Sequence, residues 1–294
     1  MRSLKKTLEH IFLQHENGIK EQYPGINFKN FYREFENYAG EIFSSNQMND
    51  FTTNQKINNF IKLVKDGIPF EYISGVSHFY GREFIVGPGV LIPRQETEII
   101  VDEAMKIFKY HSEKISILDI CCGSGCIGLS VVCELGEKVD EFLLSDISEK
   151  ALKYAKINLA KMGFQYRNTL KCEVTRSDLF EKINQKFDLI VCNPPYIKSK
   201  EHIDLVHQQV VRFEPHQALF LKDDSYDFFF QRLFKGARQS LEKNGYFFME
   251  GHEQEVARIA DIWRKNYTGD LVEVLQDLTG RDRFLKIRKG IRNG

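Results

Sequence analysis

The 294-residue chain has no apolar run approaching the roughly 18–20 residues that cross a bilayer as a helix, which excludes an ordinary membrane span. It has no excess of either charge: 41 basic residues balance 41 acidic ones, so no general attraction for a nucleic-acid backbone or an anionic lipid surface is built into it. It has no C-x-x-C pair. Of its six cysteines, at 121, 122, 126, 133, 172 and 192, four crowd into one short segment and two of these are adjacent, which suits neither a disulfide framework nor a zinc set. His202, His207 and His216 lie in a polar segment without zinc spacing, so no metal is expected. Buried apolar thiols in a reducing compartment fit better. The basic start Met1-Arg2-Ser3-Leu4-Lys5-Lys6 runs into charged amphipathic sequence, and a soluble, cytoplasmic protein is expected. Repeats and low-complexity tracts are absent as well.

What is present falls into three regions. Residues 1–69 read as a small helical bundle, with Leu4, Leu8, Ile11 and Phe12, then Ile57, Phe60, Ile61 and Val64, at three- and four-residue spacing. Residues 70–92 read as a β-hairpin linker, with extended runs near 79–86 and 90–92 parted by Gly87-Pro88-Gly89. From residue 93 to 294, after a helix carrying Ile100, Ala104, Ile107 and Phe108 that Thr97 or a neighbour can cap, short apolar strands alternate with helices. The strands are expected at 115–120, 142–145, 169–174, 187–192, 246–250, 271–276 and 283–287. That alternation predicts an α/β, doubly wound, seven-stranded sheet whose last two strands form an antiparallel edge hairpin.

The strand at 187–192 ends in Asn193-Pro194-Pro195-Tyr196. Two prolines fix two φ angles and donate no N–H, so the turn is stiff and its carbonyls lack local competition. The Asn193 side-chain oxygen and the Pro194 carbonyl can accept from a planar NH2 group, and Tyr196 can stack on its face. An ordinary Pro-Pro turn is the alternative. Earlier, Asp119-Ile120-Cys121-Cys122-Gly123-Ser124-Gly125 joins a strand to an apolar helix, a cradle for a nucleotide-like ligand. It lacks the G-x-G-x-x-G spacing of a dinucleotide site, and the acidic Asp119 favours a positively charged moiety, so an adenosyl sulfonium cofactor fits. Asp146, about twenty residues on, is placed to accept ribose hydroxyls. Asp178 and Leu179 can meet an adenine amine and face, although an Asp there is equally a helix cap. Asn193 closes this cofactor-facing row.

These residues resemble the peptide chain release factor glutamine methyltransferases, the HemK-like family of class I S-adenosylmethionine-dependent enzymes. The resemblance spans roughly residues 70–287. It rests on Pro93-Arg94-Gln95-Glu96-Thr97-Glu98, the glycine loop, Asn193-Pro194-Pro195-Tyr196-Ile197 and Arg212-Phe213-Glu214-Pro215-His216-Gln217-Ala218-Leu219, and 277–283 is similar to the family's closing hairpin. Two departures stand out: Cys121 replaces a customary glycine, and Gln95 a common proline. The resemblance implies S-adenosyl-L-methionine as cofactor and the side-chain amide of a Gly-Gly-Gln loop glutamine in release factors as methyl acceptor. It also implies a helical domain that grips the factor and direct in-line transfer with no covalent enzyme intermediate. Arg94, Glu96 and Glu214 would shape the substrate pocket, or Arg94 would pair with a carboxylate to fix its loop. A nucleic-acid adenine-N6 or rRNA guanine methyltransferase shares the Asn-Pro-Pro-Tyr turn, but the absence of a basic excess and of a recognition domain argues against direct nucleic-acid binding. A non-catalytic adenosyl binder would have no use for an amine-holding turn.

Overall fold

The computed structural model describes residues 2–40, 50–164 and 169–290. Part of the expected helical region, residues 41–49, lies outside them. The chain begins with α1 (Arg2–Gln22), α2 (Phe28–Ala39), α3 (Asp50–Lys65) and α4 (Phe70–Ser74), then β1 (Val76–Phe79) and β2 (Arg82–Ile85). Next come α5 (Glu98–Phe108), β3 (Ile115–Ile120), α6 (Cys126–Leu135), β4 (Val139–Asp146), α7 (Glu149–Lys161), β5 (Lys171–Arg176) and β6 (Phe187–Cys192). After these follow β7 (Ile197–Lys198), α8 (Gln208–Phe213), α9 (His216–Leu219), β8 (Phe220–Leu221), α10 (Tyr226–Ser240), β9 (Leu241–Glu250), α11 (Val256–Asn266), β10 (Leu271–Gln276) and β11 (Asp282–Arg288). Among the described residues no helix is long and apolar enough to cross a membrane.

The chain divides into two compact units. The first holds α1–α4 together with residues 86–88 and 207–213. Of the apolar stripe read from spacing, Leu8, Phe12, Ile57, Phe60, Ile61 and Val64 are buried together and Leu4 and Ile11 pack partly buried against them, while Phe31 and Phe35 of α2, which spacing did not single out, complete the core. Asn27 starts α2 by accepting from the Asn30 N–H. Tyr23 donates to the Ile68 carbonyl at 2.5 Å and stacks on Phe70, and Gln209 donates to the Gly67 carbonyl at 2.8 Å, which ties a segment remote in sequence to this unit.

The second unit is built on a seven-stranded sheet in the order β10-β11-β9-β6-β3-β4-β5. Strands β9, β6, β3, β4 and β5 are parallel, and β11 runs antiparallel to both β9 and β10. Alternate residues of the buried strands feed two cores. Ile117, Leu189 and Val191 pack with α5, α6 and α7, whereas Leu118, Ile190 and Phe247 pack with Phe230, Phe234 and Trp263 of α10 and α11. Burying both faces explains why these strands read as continuous apolar runs. The turn between β10 and β11 is ordered by Asp277, which accepts from the Thr279 and Arg281 N–H groups and from Arg283.

Some local expectations give way. Residues 70–74, the start of the expected hairpin linker, form a short helix, entered from Pro69 and closed by Gly75 at φ 78°. The hairpin turns at Tyr80-Gly81, both at positive φ, and residues 90–92 form no strand. β4 and β9 begin earlier than expected because their first residues carry exposed charges that hide the strand pattern, and β5 lies two residues later.

Candidate active site

The carboxyl ends of β3, β4, β5 and β6 open onto a cavity of about 280 Å³. Its wall brings together Arg94, Thr97, Cys121, Cys122, Gly123, Ser124, Asp146, Asp178, Leu179, Asn193 and Pro195. Leu91, Pro93, Ile147, Gln217, Ala218, Phe220 and Phe229 line it as well, and sequence spacing did not assign them to the site. Asp119, Gly125, Pro194, Tyr196, Glu96 and Glu214 do not reach the cavity wall.

Chain reversal after β3 builds the cradle. Gly123 and Gly125 adopt positive φ, and the Cys122 N–H donates to the Ser145 carbonyl. Cys121 sits at φ 58°, a region that costs a side-chain-bearing residue about 1–2 kcal/mol. Glycine would relieve that strain but has more freedom to lose on folding, about 0.5–1 kcal/mol. Cys121→Gly is therefore expected to leave unfolding free energy unchanged or raise it by about 0.5 kcal/mol in urea titration. A fall beyond about 1 kcal/mol would overturn the strain argument. Gly128 admits no side chain, since a Cβ there would lie 2.7 Å from both the Asp119 Cβ and the Phe142 ring. Burial pushes the Cys126 thiol up to about 12 and raises those of Cys122 and Cys192, so these sulfurs stay protonated and behave as small apolar groups.

Asp119 is wholly buried beneath the loop. Its Oδ2 accepts from the Gly128 N–H at 2.9 Å, and its Oδ1 has no hydrogen-bond partner among the described residues. Burial pushes its carboxyl up to about 7, with a further contribution from the charge of Asp146. Asp146 accepts from the Gly123 and Ser148 N–H groups, one to each oxygen, so the second strand end braces the first loop. Burial raises its pKa, and those donors pull it back. Asn158, fully buried, donates to the Ser124 and Ile85 carbonyls and accepts from the Ile85 N–H, clamping β2 to the loop. Asp178 is engaged by Arg232 at 2.9 Å.

Around the Asn-Pro-Pro-Tyr turn the side chains form one chain of hydrogen bonds. Asn193 Nδ2 donates to Thr97 Oγ1 at 3.4 Å, Thr97 donates to Glu250 Oε2 at 2.5 Å, and Tyr196 donates to Glu250 Oε1 at 2.9 Å. The Thr97 hydroxyl is thus diverted from capping α5, which has no side-chain cap. Burial together with the Glu250 charge holds the Tyr196 phenol well above its usual range, so it remains a donor. Tyr196 is absent from the cavity wall and packs, partly buried, against the core that includes α10 and α11, and its carbonyl accepts from the Tyr226 hydroxyl. Arg94 donates to Glu214 at 2.5 Å and the Ile92 N–H donates to the other oxygen, so buried Glu214 fixes the loop that carries Arg94.

A separate trio, Glu201, His202 and Glu255, brings its ligand atoms within 4.8 Å of one another, but the Lys198 ammonium already lies 2.7 and 2.6 Å from the two carboxylates.

The cavity residues fit an adenosyl sulfonium group, with the Asp146 carboxylate beside the loop and apolar Ile147 and Leu179 on the wall; behind the wall, Asp119 keeps a buried carboxylate oxygen without a partner among the described residues. A methyltransferase small domain model matches residues 97–219. The bifunctional methyltransferase of Rickettsia typhi is 34% identical over 262 residues, covering 82% of this chain, which spans only 49% of that relative's length. The release factor glutamine methyltransferase of Flavobacterium psychrophilum is 34% identical, covering 76% of each chain. That of Bacillus subtilis is 35% identical, covering 76% of this chain and 77% of its own. Identity at this level, sustained over three quarters of the length of both partners, means that the chain belongs to the release factor glutamine methyltransferases, a family dependent on S-adenosylmethionine.

Proposed function

We propose that this chain methylates the side-chain amide nitrogen of the glutamine in the Gly-Gly-Gln loop of peptide chain release factors, acting in the cytoplasm. The observation that carries the reading is one cavity uniting Asn193 and Pro195 with the glycine loop and Asp146. The Cys121–Gly125 loop, Asp146, Asp178 and Leu179 would hold S-adenosylmethionine, which supplies a sulfonium-borne methyl group when bound, and Asp119, buried off the cavity wall, would act on its charge from behind the loop. An amide nitrogen is a poor nucleophile because its lone pair is delocalised into the carbonyl. Holding its N–H groups aims that lone pair: Asn193, on the cavity wall, would supply one acceptor through Oδ1, and we assign a second to the carbonyl of Pro194, itself set back from the wall, on a turn stiffened by Pro194 and Pro195. Tyr196 braces the turn from Glu250. Arg94, oriented by Glu214, faces the cavity and contributes to the substrate pocket, with Glu96 on the same loop. Positioning and fixed dipoles are the available sources of rate.

We assign recognition of the factor to the helical region 1–69, which has its own buried core, and the linker and catalytic parts to 70–92 and 93–294. Balanced charge supports a protein substrate rather than a nucleic acid. The test is transfer of labelled methyl to purified release factor, beside a factor whose loop glutamine is changed to alanine and beside total nucleic acid. Label that requires the glutamine is expected; label on nucleic acid, or none with cofactor bound, would reject the assignment.

A further inference from the structure

The amide of an asparagine can face either way, and only its hydrogen-bond partners decide which end meets a ligand. Here the decision is made at Glu250, the last residue of β9 and 1% exposed. Both its oxygens accept from hydroxyls, Thr97 on one side and Tyr196 on the other. A hydroxyl has one hydrogen. Having given it to Glu250, Thr97 Oγ1 can only accept from Asn193, so the NH2 end of Asn193 turns to Thr97. The reverse placement would set the Asn193 oxygen against an oxygen with no hydrogen left to share. At 3.4 Å the Asn193–Thr97 bond is long, so its strength contributes little; its direction is what matters. Asn193 Oδ1 is thereby left without a partner among the described residues, on a side chain that lines the cavity.

We propose that Glu250 is a positioning residue which, through the Thr97 hydroxyl, orients the Asn193 amide with its oxygen available to the substrate, so that the site selects acceptors presenting N–H donors. The inference rests on the amide-methylation reading above. It also explains why a carboxylate is kept dry at this strand end when burial opposes its charge: an acceptor on both sides is needed, and the two hydroxyls and neighbouring Arg283 compensate. A glutamine at this position would accept from Tyr196 and donate to Thr97 Oγ1. That frees the Thr97 hydrogen to seek the Asn193 oxygen and turns the amide around.

The experiment compares Glu250→Gln, Thr97→Val and Thr97→Ser with the wild type, reading S-adenosylmethionine affinity by calorimetry and methyl transfer to release factor. Glu250→Gln and Thr97→Val are expected to keep cofactor affinity within about twofold and to lose about 10–100-fold in kcat, a fraction of what losing a direct polar contact costs. Thr97→Ser keeps the hydroxyl and is expected to stay within about threefold of wild type. Glu250→Gln is then placed in an Asn193→Asp background. A carboxylate accepts at both ends and carries no orientation to lose, so the further cost is expected to be under about threefold. Equal losses in both backgrounds would reduce Glu250 to a structural support and overturn the proposal, as would full turnover in Glu250→Gln or Thr97→Val. If Glu250→Gln does not fold, the contrast between Thr97→Val and Thr97→Ser decides alone. A wild type that fails to label release factor condemns the substrate assignment instead, which keeps the two failures apart.

Discussion

Asn193→Ala is expected to bind S-adenosylmethionine with nearly unchanged affinity and to lose about 10²–10³ in methyl transfer. The loop at 121–125 and Asp146 form the cradle without help from Asn193: the bonds that shape it run from Gly123 and Ser148 to Asp146, from Gly128 to Asp119, and from Asn158 to Ser124. Asn193 instead follows the end of β6, and among the described residues its side chain is joined only to Thr97, by a long bond. Deleting its side chain leaves that scaffold intact and removes one acceptor that must hold an amide N–H while the lone pair is aimed. The substituted side chain is partly exposed, so no buried polar group is stranded on Asn193 itself and folding should survive. Calorimetry with the cofactor and single-turnover label transfer to release factor separate the two effects. Turnover within about threefold of wild type would remove Asn193 from the chemistry, whatever its place at the wall.

What could be read from the sequence was local. Strands β3, β6 and β10 have the limits expected of them, because each is a continuous apolar or alternating run with abrupt polar ends. The glycine loop, Asp146 and the Asn-Pro-Pro-Tyr turn are contiguous motifs whose chemistry follows from their own residue types. The pairings that give those motifs their orientation are not local. Thr97 and Glu250 are 153 residues apart, Asn193 and Thr97 are 96 apart, and Asn158 reaches Ile85 across 73. No spacing rule links such positions, since only strand order β9-β6-β3 brings the end of β9 beside the end of β6. Tyr196 shows the limit of local reasoning: its aromatic ring suggests stacking on a substrate, yet its hydroxyl is bound to Glu250 and the residue is absent from the cavity wall. Asp119 was legible as an acid before the loop, but its depth was not, because burial is a property of the finished sheet.

That depth is expected to make Asp119 respond to both folding and cofactor. The carboxyl titrates near 3.8 when exposed and at about 7 in the folded chain, with burial the main cause. Between those values the folded chain holds a proton that the unfolded chain has released, so stability falls as pH rises through the window and is level above about 7. The full displacement corresponds to about 4 kcal/mol. Asp119→Asn keeps a carbonyl to accept from the Gly128 N–H and removes the ionisation. It is expected to raise unfolding free energy by about 2 kcal/mol or more at pH 8 and to change it little at pH 5. Cofactor binding runs the other way. A sulfonium cation near the loop favours the ionised carboxylate, so wild-type affinity is expected to weaken by up to about tenfold for each pH unit below 7 and to level off above it. Asp119→Asn should bind more weakly at pH 8 with a flatter profile. Calorimetry from pH 5.5 to 8.5, repeated in buffers of different ionisation enthalpy, should show a proton released on binding near pH 6 by wild type and not by the variant. Identical profiles for the two proteins would mean that Asp119 does not sense the cofactor's charge, and loss of stability in the variant at pH 8 would mean that the buried carboxylate is satisfied by something other than the Gly128 amide.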